Sequence, residues 1–186
     1  MPLLQTKADA SAWGYGFLGA TASTGNFFQI SQLSPSAVST VTFSSIPSTY
    51  KSLQVRFNLV PSATGALMRM QFNGDTASNY ATHELYGTGG STGAGGVASN
   101  ISVNINQNVG TVNTTYPFVG IIDVIDYANT NKYKTAKALS GQNQNLTSGS
   151  VQIDSGVWLN TSAVTSLTLL HTTGTFTGTI TLYGAN

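Results

Sequence analysis

Few residues in this 186-residue chain could do chemistry, and their spacing points away from catalysis. Asp123 and Asp126, three apart at the end of an apolar run, form the best carboxylate pair. Two such groups flanking a glycosidic bond are what sugar hydrolysis uses. However, Asp126-Tyr127-Ala128-Asn129-Thr130-Asn131 reads as a turn, where Asp and Asn serve the backbone, and the chain has only six acidic residues. His83, beside Glu84, and His171 are the only histidines, and no His-Glu-x-x-His spacing joins them to a metal or a general-base role. We read His83 as a polar strand residue. His171 alternates with Leu167 and Leu169, which predicts a partly buried ring with a hydrogen-bond partner. There is no Gly-x-Ser-x-Gly elbow, and the absence of cysteine removes thiol catalysis, disulfides and the usual structural zinc. The expected catalytic residues, metal ligands and cofactors are therefore none.

Four further motifs have ordinary structural readings. Asn73-Gly74-Asp75 is the dipeptide choice of a tight hairpin turn, and it lacks the closely spaced carboxylates that would make Asp75 and Asn79 a calcium loop. The run Gly87-Thr88-Gly89-Gly90-Ser91-Thr92-Gly93-Ala94-Gly95-Gly96 has no Lys-Ser or Lys-Thr to close a phosphate loop, so it is expected to be a long flexible surface loop, open to a partner. Lys132, Lys134 and Lys137 are the only clustered charges. They read as protection for an edge strand, with contact to an acidic partner as the other reading. The Asn-x-Ser/Thr triplets at Asn100, Asn113, Asn145 and Asn160 are expected by chance in so Asn- and Thr-rich a chain.

The elements that must position these residues follow from period two. Leu53, Val55, Phe57 and Leu59 alternate with Ser52, Gln54, Arg56 and Asn58, and similar alternation marks residues 37–43, 68–72, 101–105, 132–139, 151–153, 167–170 and 179–183. Phe118 to Ile125 is nearly continuous and reads as a strand covered on both faces. No long helical period is present. Nine to eleven short strands predict an all-β fold, an antiparallel β-sandwich of jelly-roll-like type. Residues 26–186 make the single domain and residues 1–25 an extended N-terminal arm. The arm's cluster Trp13-Gly14-Tyr15-Gly16-Phe17 has too little apolar mass to fold alone, so Trp13, Tyr15 and Phe17 are expected to dock on the domain or on a partner subunit.

Composition narrows the function. Only 7% of residues are charged, against about 25% in a typical domain. The formal net charge of +1, with no basic run, lacks the electrostatic footprint of a nucleic-acid binder. With 8 Phe, 8 Tyr and 2 Trp, disorder is also a poor reading. No apolar stretch approaches the ~20 residues of a membrane span. Met-Pro-Leu-Leu followed by Gln-Thr-Lys is not a signal peptide, which predicts synthesis in a cytoplasm and no membrane partner.

Five strings in order resemble one family. They are Ser45-Ile46-Pro47-Ser48-Thr49-Tyr50-Lys51-Ser52-Leu53-Gln54-Val55; Phe72-Asn73-Gly74-Asp75 with Asn79-Tyr80; Tyr133-Lys134-Thr135; Gly156-Val157-Trp158 ahead of Ser162-Ala163-Val164-Thr165-Ser166-Leu167; and Gly178-Thr179-Ile180-Thr181-Leu182-Tyr183-Gly184. Over residues 38–186 the chain thus resembles a family of tailed-bacteriophage virion structural proteins, β-sandwich domains of head fibres, capsid decoration proteins and tail fibres. The resemblance carries no enzymatic residues. It implies a non-enzymatic protein on the virion surface, a capsid decoration or head-fibre protein, with other virion proteins as partners and a homo-oligomer, by analogy a trimer. The alternative it leaves is a tail-fibre or receptor-binding module for host glycans, with Tyr86, Gly89 and Gly93 in the contact loop and Trp158 beside them.

Overall fold

The computed structural model describes residues 26–106, 112–145 and 149–186. They form twelve strands and, among the described residues, no helix. In chain order these are β1 (Phe27–Leu33), β2 (Thr40–Phe43), β3 (Ser52–Pro61), β4 (Met68–Phe72), β5 (Tyr80–Thr88), β6 (Thr92–Asn100), β7 (Val103–Asn104), β8 (Phe118–Ile125), β9 (Lys134–Asn143), β10 (Gly149–Trp158), β11 (Leu167–His171) and β12 (Phe176–Ala185). Every pairing is antiparallel, in a large sheet of order β1-β12-β3-β8-β9-β10-β5-β6 and a small one of order β2-β11-β4-β7. The expected antiparallel β-sandwich is what these residues build.

The period-two pattern explains why the sheets close on one another. In β3, Leu53, Val55, Phe57 and Leu59 point inward and are buried; in β4 and β11, Met68, Met70, Phe72, Leu167 and Leu169 do the same from the small sheet. Burying a side chain of this size is worth roughly 1.5–3 kcal/mol, which is what holds the layers face to face. The one continuous core runs between the sheets and reaches Ile46, Val112, Tyr127 and Val164 in the connections.

Asn73 and Gly74 both take positive φ (+52° and +67°), and the Asp75 amide donates to the Phe72 carbonyl at 2.9 Å, so the tight turn forms as expected. It does not close a hairpin. It ends β4 in the small sheet, and the chain then enters β5 in the large one. The Asn73 side chain secures it, accepting from the Thr165 and Ser166 amides (2.8 and 3.1 Å) and donating to the Ala163 carbonyl (2.8 Å). Asn73→Ala removes these bonds and a residue that tolerates positive φ. We expect it to lower unfolding free energy by about 2 kcal/mol in a urea titration.

Three expectations about the strands need correction. The glycine-rich run is not a flexible loop: β5 and β6 pair in register through it, with a tight turn at Gly89-Gly90 where the Thr88 amide donates to the Ser91 carbonyl at 2.7 Å. Glycine is needed there because side chains from β5 occupy the space. A Cβ on Gly93 would overlap the Tyr86 ring, and one on Gly96 would press on His83 at 2.9 Å. Phe118–Ile125 is not covered on both faces: Phe118, Ile122 and Val124 are buried, while Val119, Ile121 and Ile125 are 40–57% exposed. The lysines do not guard an edge, because β9 lies between β8 and β10 in the middle of the large sheet. Lys134 is fully buried, its Nζ donating to the carbonyls of Asn129, Lys132 (2.7 Å) and Thr161 (3.0 Å), and burial pulls its pKa down. Lys132 pairs with Asp126 at 2.8 Å, and Lys137 is exposed on the outer face.

Candidate functional site

The large sheet has more strands than the small one, and several of its strands invert the usual polarity. In β10, Gln152 and Asp154 point inward while Val151 and Ile153, each 54% exposed, point out. In β5, Thr82 and Glu84 are buried while Leu85 is 59% exposed; in β9, Ser140 is buried and Leu139 is 51% exposed.

Register aligns the outward apolar residues. Ile121 of β8 faces Leu139 of β9, which faces Ile153 of β10, which faces Leu85 of β5. One pair further along, the row reads Val119, Gly141, Val151, Gly87. The glycines open hollows between the valines. One of about 490 Å³ is lined by Val119, Ile121, Leu139, Gly141 and Val151 among others. The neighbouring row on the other side is polar: Asp123, Lys137, Ser155, His83. On the β3 side, Arg56 fences the patch, its guanidinium 5.0 Å from the Phe27 ring and 4.7 Å from that of Tyr183. Its Nε donates to Gln54 Oε1 and Gln54 Nε2 to Asp123 Oδ1, both at 2.7 Å. A contiguous exposed apolar area with a polar border is the form of a macromolecular contact surface.

The inward side of the same strands carries a closed polar cluster. Asp154 and Glu84 face each other in register, and the Gln152 amide donates to both carboxyl groups, at 3.0 Å to Glu84 Oε2. Burial drives the Asp154 pKa up to about 7, opposed by the Gln152 hydrogen bond and assisted by the Glu84 charge. With the two groups 1% and 7% exposed, the pair offers no groove to a sugar chain.

The sequence candidates are dispersed. Trp13, Tyr15 and Phe17 lie outside the described residues. Asp123 bonds to Gln54 on the sheet face, whereas Asp126, at φ +54°, pairs with Lys132 in a turn, so the two carboxylates serve separate contacts. Asp75 accepts hydrogen bonds from Asn79, Trp158 and the Ala77 amide, in that order the causes that hold its pKa down; this is turn chemistry. His83 is exposed on β5, as a polar strand residue should be. His171 is buried, but neither ring nitrogen has a partner among the described residues; it packs on Phe176 instead, and burial lowers its pKa to about 4.

The glycan platform does not assemble. Tyr86 is half-buried over Gly93 rather than exposed, and Trp158 is 1% exposed in the core. Trp158 lies opposite Tyr80, six residues along β5 from Tyr86, or roughly 20 Å. Gly89 is exposed in the turn. Sequence reasoning missed the apolar rows because alternation alone does not say which face is inside. The available signal was acid and amide residues, Gln152 and Asp154, interleaved with Val151 and Ile153. Comparison with protein-family models, with curated proteins and with solved structures finds no match.

Proposed function

We propose that this chain is a non-enzymatic structural protein on the exterior of a tailed-phage particle, a capsid decoration or head-fibre protein held in place by subunit contacts. The outward apolar rows of β8, β9, β10 and β5 carry this reading, because six large aliphatic side chains face solvent in a chain that could have turned them inward. The five family-like strings support it from the sequence. Low charge suits it too: 7% charged residues and a net charge of +1 leave little long-range repulsion between close-packed copies. A particle protein of this kind is made in the host cytoplasm, has other virion proteins as partners and needs no cofactor. The glycan-binding alternative draws less support, since neither Tyr86 nor Trp158 presents an open ring face.

The test is localisation and loss of attachment. Labelled protein imaged on particles should decorate the head. Ile153→Asp should weaken particle association at least about 10-fold by placing a charge in the contact. Deleting residues 1–20, with Trp13, Tyr15 and Phe17, should also release the protein. Association unchanged by both alterations would sink the attachment reading, and label on the tail tip would favour receptor recognition.

A further inference from the structure

We infer that the outer face of β8, β9, β10 and β5 pairs with the same face of a second copy of this chain about a two-fold axis running along the strands between β9 and β10. The inference rests on the reading of this face as a contact surface, and it names the partner.

Self-complementarity carries it. A two-fold axis in that position lays β8 of one copy over β5 of the other and β9 over β10. The row Val119, Gly141, Val151, Gly87 then meets its own reverse. Val119 stands over Gly87 of the second copy, where a Cβ would meet nothing nearer than 3.9 Å, and Val151 over Gly141, which lines the hollow beside Val119 and Leu139. Ile121 meets Leu85, and Leu139 meets Ile153, aliphatic on aliphatic. In the polar row Asp123 meets His83 and Lys137 meets Ser155, and the two Lys137, which the axis brings one strand spacing apart, each have Asp123 of their own copy as the neighbouring opposite charge. A three-fold contact would set two different patches against each other, and this alternation of large and absent side chains would go unmatched.

The size agrees. The four central strands alone, at ~4.8 Å spacing and about eight residues of ~3.3 Å each, give roughly 500 Å², and the same axis lays β3 of one copy over β6 of the other, which brings the face to roughly 750 Å². A stable pair needs about 800 Å² from each partner, with an apolar centre and a polar rim. Here the apolar rows are central, and Arg56, Asp123, Lys137 and His83 form the border.

Disulfide trapping tests the geometry, since the chain has no cysteine of its own. Val119 and Gly87 are three strands apart in one copy, roughly 14 Å, which is beyond the reach of a disulfide. Position 87 has room: a Cβ there meets Val151 and Thr92 only at 3.9–4.0 Å. Mild oxidation of full-length Val119→Cys/Gly87→Cys at low micromolar concentration should give a covalent dimer, with neither single variant doing so. By sedimentation equilibrium the unaltered full chain should reach twice its monomer mass, or an even multiple, and Ile153→Asp should weaken association about 100-fold with the circular dichroism spectrum retained. A monomer at 100 micromolar, as would follow if residues 1–25 of the same chain covered the face, overturns the inference. So does a trimer, or cross-linking of the singles equal to the double. A monomer whose particle binding still fails on Ile153→Asp overturns the pairing alone; a dimer that binds no particle overturns the virion reading alone.

Discussion

Asp154→Asn should expose an acid sensitivity that the unaltered protein does not show. Two buried groups pull stability in opposite directions. Asp154 has its pKa raised from 3.8 to about 7 by burial. The folded chain therefore holds a proton that the unfolded chain releases, and this contribution is full below about pH 4 and lost as pH rises to about 7. The gap corresponds to about 4 kcal/mol. His171 has its pKa lowered from 6.5 to about 4, again by burial. Its contribution is full above pH 6.5 and lost as pH falls to about 4, a matter of about 3 kcal/mol. Between pH 4 and 6.5 the two nearly cancel. The depressed pKa of Asp75 acts only below its ordinary value of 3.8, outside this window.

Each single substitution should unmask the other group. Asp154→Asn keeps the shape and the Gln152 contact while removing the acid, so it should be up to about 4 kcal/mol more stable than the unaltered protein at pH 8 and lose about 3 kcal/mol from pH 6.5 to 4. His171→Leu should show the reverse slope. Urea midpoints measured every half unit from pH 4 to 8 decide it. Parallel curves for Asp154→Asn and the unaltered chain would mean that the Glu84–Gln152–Asp154 cluster exchanges with solvent and is not the closed pair described above.

The fold was legible wherever alternation and burial agree. Leu53 to Leu59 in β3 and Met68 to Phe72 in β4 put every apolar residue inside, and both strands run where period two places them. β5 was not legible, because its buried positions Thr82 and Glu84 are polar and its outward Leu85 is apolar. β6 was hidden differently: of its nine residues only Thr92 and Val97 favour a strand, the rest being Gly, Ala, Ser and Asn. It forms because Tyr86 and His83 of β5 fill the places of its missing side chains. The contact surface escaped for a related reason. Ile121, Leu139, Ile153 and Leu85 are spread over more than sixty residues of chain, and only antiparallel register brings them into one row. Spacing along the chain is the distance a sheet does not preserve.

Trp158→Ala should cost about 4 kcal/mol or more, and Trp158→Phe no more than about 2 kcal/mol. Trp158 closes β10 at 1% exposure and ties the two sheets together. Its ring stands 5.5 Å from Phe72 of the small sheet and 6.3 Å from Tyr80 of β5, nearly parallel to the latter at 17°. Its Nε1 donates to Asp75 Oδ2 at 2.7 Å, so the turn leaving β4 is bonded to the end of β10. Tyr80 belongs to the same knot: its hydroxyl donates to the Asp75 carbonyl at 3.0 Å, and burial pushes its pKa up to about 12. Truncation to Ala deletes the stack, leaves a cavity at the junction of the sheets and strips one donor from Asp75. Phenylalanine restores most of the volume and loses the hydrogen bond alone. Chemical unfolding of the two variants separates packing from hydrogen bonding; a Trp158→Ala cost within 1 kcal/mol of zero would show that the sheets do not depend on this junction. The same pair separates fold from surface. Trp158 lies on the inward side of the strand whose outward side presents Val151 and Ile153, so Trp158→Phe should lower stability with self-association unchanged. Ile153→Asp should do the opposite: at a concentration low enough that both proteins are monomeric, its unfolding free energy should stay within about 1 kcal/mol of the unaltered protein, while at higher concentration only the unaltered copies associate.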